Sequence, residues 1–234
     1  MKITVELLYP EFNNLYGDGG NALYLEKKLT ASGCECEFIK TDLFSEPEFA
    51  KDGGDILLIG PCQERHQKLQ LTKLAEYKNA LWDYIESGKT VLATGNAFEL
   101  FGSYIESPKG EKTEALGFFP YYAKQFSRLR YNDCSVGDFE GMKIVGFKNL
   151  LSHSYGELPH PFLTMEKGAG MNPESKTEGV HYKNLFATYH TGPILPLNPQ
   201  FTEYFIKLVY PDFTPAPLEF EQEAYSHRLA ELTK

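Results

Sequence analysis

Thr90-Val91-Leu92-Ala93-Thr94-Gly95-Asn96-Ala97-Phe98-Glu99 runs from a short apolar, β-forming segment straight into a glycine and then into helix-like sequence. A continuous apolar run of this kind belongs in a sheet covered on both faces. The glycine at its end predicts a sharp strand-to-helix turn, the place where a nucleophile elbow exposes one side chain. Upstream, Ile3 to Tyr9 reads as a strand ended by Pro10, and Asn21 to Leu29 as a helix with Asn21 as its N-cap. Cys34 to Ile39 and Asp55 to Ile59 read as further strands, and Glu64 to Ser87 as a helix closed by Gly88. This β-α-β-β-α-β-α order up to residue 102 predicts a mostly parallel sheet flanked by helices.

Downstream of the turn the sequence changes character. Strands are predicted at Phe118–Phe126, Arg130–Val136, Lys143–Phe147, Val180–Tyr182 and Phe186–Tyr189, giving a small antiparallel β layer from about Tyr121 to Tyr189. Residues 148–179 have the composition of a loop, with Pro159, Pro161, Gly168, Gly170 and Pro173. Helices are predicted near Pro199–Val209 and Leu218–Leu232. The whole chain, 1–234, is read as one domain.

The 234 residues are 42% hydrophobic and 24% charged, which excludes a disordered or fibrous chain. A net charge of −9 argues against non-specific binding to nucleic acid or anionic membrane. No apolar run reaches the ~20 residues of a membrane span, and the chain opens on strand-like sequence, so neither membrane insertion nor a signal peptide is expected. Cys34, Cys36, Cys62 and Cys134 are too few for a disulfide scaffold, and a reduced, cytoplasmic protein is expected. The six histidines have no metal-ligand spacing, so neither a metal nor a cofactor is expected. Gly17-Asp18-Gly19-Gly20 fits no phosphate-binding motif and reads as a tight turn.

Asn14-Leu15-Tyr16-Gly17-Asp18-Gly19-Gly20-Asn21 resembles the opening motif of class I glutamine amidotransferases of the cobyric-acid-synthase type, in particular the glutaminase subunits of lipid II isoglutaminyl synthases. Gly54–Gly60, Gly88–Gly102, Ile144–Phe147, and Gly179–Leu185 running on to Gly192–Pro196 agree in order and spacing. The resemblance implies an amidotransferase-like (flavodoxin-like) α/β fold. It also implies a heterodimer with a Mur-ligase-like partner that amidates the peptidoglycan precursor. The chemistry of the family needs a cysteine nucleophile, a histidine base and backbone donors for an oxyanion. Position by position, the nucleophile falls on Gly95, the base on Thr191, and the oxyanion loop on Gly60 and Pro61, which has no N–H. His190 stands one residue early, and on a strand one step reverses the side-chain direction.

The resemblance therefore implies a catalytically degenerate subunit. Arg128 matches the family's arginine for the α-carboxylate of glutamine, and Asn96 and Glu99 are the other candidate ligand residues. Two alternatives remain open at this stage. One is an active glutaminase with Cys62 as a relocated nucleophile near His66 or His190, supplying ammonia to a ligase. The other is a non-hydrolysing sensor of glutamine or another carboxylate. The apolar positions of the helix from Leu218 to Leu232 make it a candidate docking element.

Overall fold

The computed structural model describes residues 2–51, 53–128, 130–216 and 220–234. The first half follows the predicted alternation: β1 (Lys2–Leu8), α1 (Gly20–Ala31), β2 (Glu35–Thr41), β3 (Ile56–Ile59), α2 (Glu64–Leu74), α3 (Lys78–Glu86) and β4 (Thr90–Thr94). There follow β5 (Tyr104–Glu106), β6 (Lys112–Glu114), β7 (Tyr122–Gln125), β8 (Tyr131–Phe139), β9 (Met142–Leu150), β10 (Ser152–Tyr155), β11 (Pro161–Lys167), β12 (Thr177–Tyr182) and β13 (Leu185–Thr188). The helices α4 (Ile194–Leu197), α5 (Pro199–Lys207) and α6 (Glu221–Leu232) complete the fold.

The strands form a nine-stranded sheet in the order β2-β1-β3-β4-β13-β12-β11-β8-β9 and a four-stranded sheet in the order β10-β7-β5-β6. From β2 to β13 the pairing is parallel, and from β12 to β9 it is antiparallel. The antiparallel strands thus extend the main sheet, while the small second sheet packs beside it. Alternation along β3 and β4 divides the core. Leu57, Ile59, Val91 and Ala93 face one apolar cluster with Leu71, Leu81 and Ile85 of α2 and α3. Ile56, Leu58 and Leu92 face the other, with Leu25 and Leu29 of α1 and Phe201 and Phe205 of α5.

Several expectations change. The single helix from Glu64 to Ser87 breaks at a 3-10 turn, Ala75–Tyr77. The loop assigned to residues 148–179 contains β10, β11 and the end of β9, because pairing with β7, β12 and β8 overrides the Gly/Pro-rich composition. Asn21 is not the N-cap, which is Gly19. Instead its amide donates to Asp18 at 3.0 Å and its Oδ1 accepts from the Leu195 N–H at 2.9 Å, so it ties α1 to α4. In α6 the apolar positions Tyr225, Leu229 and Leu232 are half-buried against the chain's own domain, with Tyr225 donating to the Lys143 carbonyl at 2.7 Å. The outer face of the helix is largely polar, Phe220 of the proposed docking stripe is 65% exposed at its N-cap, and Leu218 of that stripe lies outside the described residues. No described helix is long and apolar enough to cross a membrane.

After β13 the chain bridges back to β9 at Phe147 and Thr191. This brings Gly146 so close to His190 that a Cβ there would lie 2.0 Å from the ring Cδ2. Gly146→Ala is expected to destabilise the fold by about 1–3 kcal/mol or more through overpacking. Equilibrium denaturation should show a lower midpoint. An unchanged midpoint would mean that this approach is not close in solution.

Candidate functional site

All five residues of β4 are buried, and the strand ends on Gly95 with φ = +59°. That left-handed conformation gives the abrupt entry of a nucleophile elbow into the following 3-10 turn, Gly95–Phe101, and glycine adopts it without strain. The backbone of an elbow is present, but the room above it is not. A Cβ on Gly95 would lie 2.6 Å from Pro61 Cβ, 3.1 Å from Thr191 Cγ2 and 3.3 Å from Pro61 Cγ. Positions 61 and 191, matched to the oxyanion loop and the base, therefore both crowd position 95, matched to the nucleophile. The space left beneath Tyr16, Cys62 and Asn149 is ≈ 10 Å³. About one water fits in such a space, and a glutamine side chain does not.

The oxyanion loop is closed in the same way. Gly60 is required because a Cβ there would meet the Asn13 carbonyl at 2.3 Å and Asp18 Oδ2 at 2.7 Å. Pro61 supplies no donor. The next N–H, of Cys62, donates to Asn96 Oδ1 at 3.0 Å, while Asn96 Nδ2 donates back to the Cys62 carbonyl at 2.8 Å. Asn96 is thus a buried clamp on the loop rather than a ligand contact. Asp18 accepts from Thr94 Oγ1 at 2.7 Å and from Asn21, fastening the Gly-rich turn to the end of β4. Burial pushes its carboxyl up to about 7.

Cys62 is 4% exposed, and burial, with Glu99 and Glu64 nearby, pushes its thiol up to about 12. At neutral pH only on the order of one molecule in 10⁵ would carry the thiolate. No bond joins Cys62 to His66 or His190 among the described residues. The His66 ring packs tilted against Phe12, with centroids 4.5 Å apart and the planes at 51°, and its Nδ1 has no partner among the described residues.

Thr191 turns its methyl to Gly95 and donates through both N–H and Oγ1 to the Phe147 carbonyl, at 2.9 and 2.8 Å. His190 faces the other way. Its Nε2 is 2.8 Å from Ser135 Oγ and its Nδ1 is 3.0 Å from Glu178 Oε2, a Ser-His-Glu arrangement. All three residues are 0% exposed, so the geometry of a triad is present without access for a substrate. Burial lowers the His190 pKa, leaving the ring neutral at pH 7. Burial alone would raise Glu178, but the Lys148 charge and the bonds from His190 and Thr188 outweigh it and hold the carboxyl down to about 2. Lys148 itself is buried and donates to the Ala169 and Gly170 carbonyls. Sequence spacing could not reveal this cluster, because Ser135 and His190 are 55 residues apart.

Glu99 also points inward. It accepts from Ser152 Oγ, from Tyr189 OH at 3.0 Å and from Gln67 Nε2 at 2.8 Å, and burial pushes it up to about 7. Of the three candidate ligand residues, only Arg128 is exposed. It lines an open basin of ≈ 600 Å³ with Gln125, Phe126, Arg130, Tyr131 and His153. Sequence reading missed Arg130, whose Nη1 donates to Tyr16 OH at 2.6 Å and Asn149 Oδ1 at 2.8 Å and so fixes the cover over the closed cleft. The four cysteines are free, and among the described residues no group of three or more His, Cys, Asp or Glu is placed to hold a metal ion.

A model of the CobB/CobQ-like glutamine amidotransferase domain matches residues 4–199. The chain is 32% identical over 209 residues to the glutamine-hydrolysing lipid II isoglutaminyl synthase subunit GatD of Staphylococcus aureus strain N315, covering 88% of this chain and 84% of the relative. It is 30% identical over 202 residues to the corresponding subunit of Streptococcus pneumoniae strain ATCC BAA-255 / R6, covering 84% and 76%. Among solved structures it is similar in fold to PurLQS of Thermotoga maritima (TM-score 0.56, 14% identity, 98% and 100% covered). A second similar structure is a glutamine amidotransferase of the same organism (TM-score 0.51, 8% identity, 99% and 92% covered).

The buried carboxyls set opposite pH dependences. Glu99 and Asp18, both raised to about 7, contribute stability that is full below pH 4 and lost as pH rises through 7. Glu178, held down to about 2, contributes stability present above pH 5 and lost as pH falls towards 2. Below pH 6.5 the lowered pKa values of His190 and His153 act in the opposite sense. The fall is therefore expected between pH 6.5 and 8, where denaturation midpoints should drop with rising pH and Glu99→Gln should lessen that drop. An equally steep fall in the variant would mean that Glu99 does not titrate there.

Proposed function

The chain belongs to the CobB/CobQ-like glutamine amidotransferase family, and from that membership we propose that it is a catalytically degenerate subunit. In this reading it acts as a binding or regulatory partner of a Mur-ligase-like enzyme in the amidation of a peptidoglycan precursor. Its relatedness to two lipid II isoglutaminyl synthase subunits supports that setting.

The observation that carries the reading is the contact of Pro61 and Thr191 with Gly95. A covalent amidotransferase holds the amide carbon within reach of a thiolate, passes the thiol's proton through a base to the leaving amine and stabilises the oxyanion with backbone N–H groups. Here the thiol position has no side chain, the base position carries a hydroxyl bonded to Phe147, and the loop's remaining N–H is held by Asn96. Relocation of the nucleophile to Cys62 is disfavoured by its burial and its high pKa. The exposure of Arg128 favours a second reading, a non-hydrolysing sensor that holds a carboxylate in the open basin.

The purified protein, alone and with its ligase partner, is expected to release no ammonia from glutamine above a heat-denatured control. Gly95→Cys alone should destabilise the fold, because its Cβ would overlap Pro61. Gly95→Cys, Pro61→Gly and Thr191→His together relieve that overlap and should restore measurable glutaminase activity. Wild-type turnover that Cys62→Ala abolishes would overturn the proposal.

A further inference from the structure

The basin beside the closed cleft carries the donor chemistry that the cleft lacks. Its lining has two guanidinium groups, Arg128 and Arg130, one imidazole, His153, and no acidic side chain. His153 is 8% exposed, yet no described residue bonds to its ring nitrogens. Phe126 and Tyr131 hold that ring edge-on, each with centroids 5.2 Å away. Burial, with Lys148 nearby, lowers its pKa, so the neutral ring offers one N–H donor and one acceptor. The Arg128 side chain likewise has no bonded partner among the described residues.

A guanidinium fork matches the oxygens of a phosphate or carboxylate in pairs. Two forks and an imidazole donor in one acid-free basin exceed what a single carboxylate uses and suit a phosphate, which has more oxygens and more charge. The ≈ 600 Å³ volume is also far larger than an inorganic anion. Pro108, Phe126 and Tyr131 supply the apolar wall against which an organic group would lie. Arg130 has a second role, since the same Nη1 bonds Tyr16 and Asn149 over Gly95. Both of those bonds use Nη1 alone, so among the described residues the Nη2 and Nε donors of Arg130 remain free for an anion.

We propose that this basin binds a phosphate ester bearing a ring through Arg130 and His153, with Arg128 at its rim, while Arg130 Nη1 keeps its bonds to Tyr16 and Asn149. This goes beyond the degenerate-subunit reading and stands apart from it. Ammonia release from glutamine would overturn that reading and leave this one untouched.

The test is calorimetric titration of the full chain with phenyl phosphate at fixed ionic strength, with benzoate and glutamate as carboxylate arms. Phenyl phosphate should give a saturable heat, with affinity at least tenfold weaker in Arg130→Gln and in His153→Phe. Arg65→Gln, outside the basin, should leave that affinity unchanged. Thermal unfolding of each variant separates lost binding from lost fold. Absence of saturable heat with the folded wild type, or equal affinity in folded Arg130→Gln, would overturn the site. Tighter binding of benzoate or glutamate than of phenyl phosphate would overturn the phosphate assignment.

Discussion

A single atom's worth of space governs this molecule: the point where a Cβ on residue 95 would sit is taken by the Pro61 ring and the Thr191 methyl. Steric exclusion at this range allows no compromise, because both neighbours are held from behind. The Pro61 carbonyl accepts from the Leu15 N–H, and the next residue is clamped by Asn96. Thr191 is bridged to Phe147 on one side and follows the sealed His190 cluster on the other. The departures at 61, 95 and 191 are therefore one packed unit. Changing one of them alone meets the other two, so their effects are not additive.

Beneath that unit lies a layer of buried polar groups that fixes the backbone around it. Asp18 fastens the Gly-rich turn to Thr94, and Glu99 gathers Ser152, Tyr189 and Gln67. Glu178 holds the β13 end through Thr188, the Tyr189 N–H and His190. Burying three carboxyls is costly, and replacing them with apolar groups of the same shape need not lower stability. What they do impose is position, since each accepts bonds from elements distant in sequence. The sheet carries an elbow in the conformation a nucleophile would need, with the polar support turned inward rather than towards a substrate.

Much of this was legible in the sequence, for identifiable reasons. Apolar runs at Ile56–Ile59 and Thr90–Thr94 and the glycine after the second marked the parallel sheet and its turn, because burial on both faces leaves a local signature. A Cβ at position 95 would meet both residue 61 and residue 191, three positions that the resemblance matched to one site. The strands within residues 148–179 were not legible, since they owe their existence to pairing partners and not to local propensity. Nor were the directions of Asn96 and Glu99, because a 3-10 turn rather than an α-helix sets where they point. Arg130 was passed over because its partners Tyr16 and Asn149 are 114 and 19 residues away.

The central claim is that no thiol in this protein can attack a glutamine amide. Its most direct test is intact-mass spectrometry after incubation with a diazoketone analogue of glutamine, which alkylates the activated cysteine of a working glutaminase. The account predicts an unmodified mass for the folded protein at concentrations that fully label an active glutaminase run in parallel. Stoichiometric labelling of the folded chain at Cys62 would contradict it.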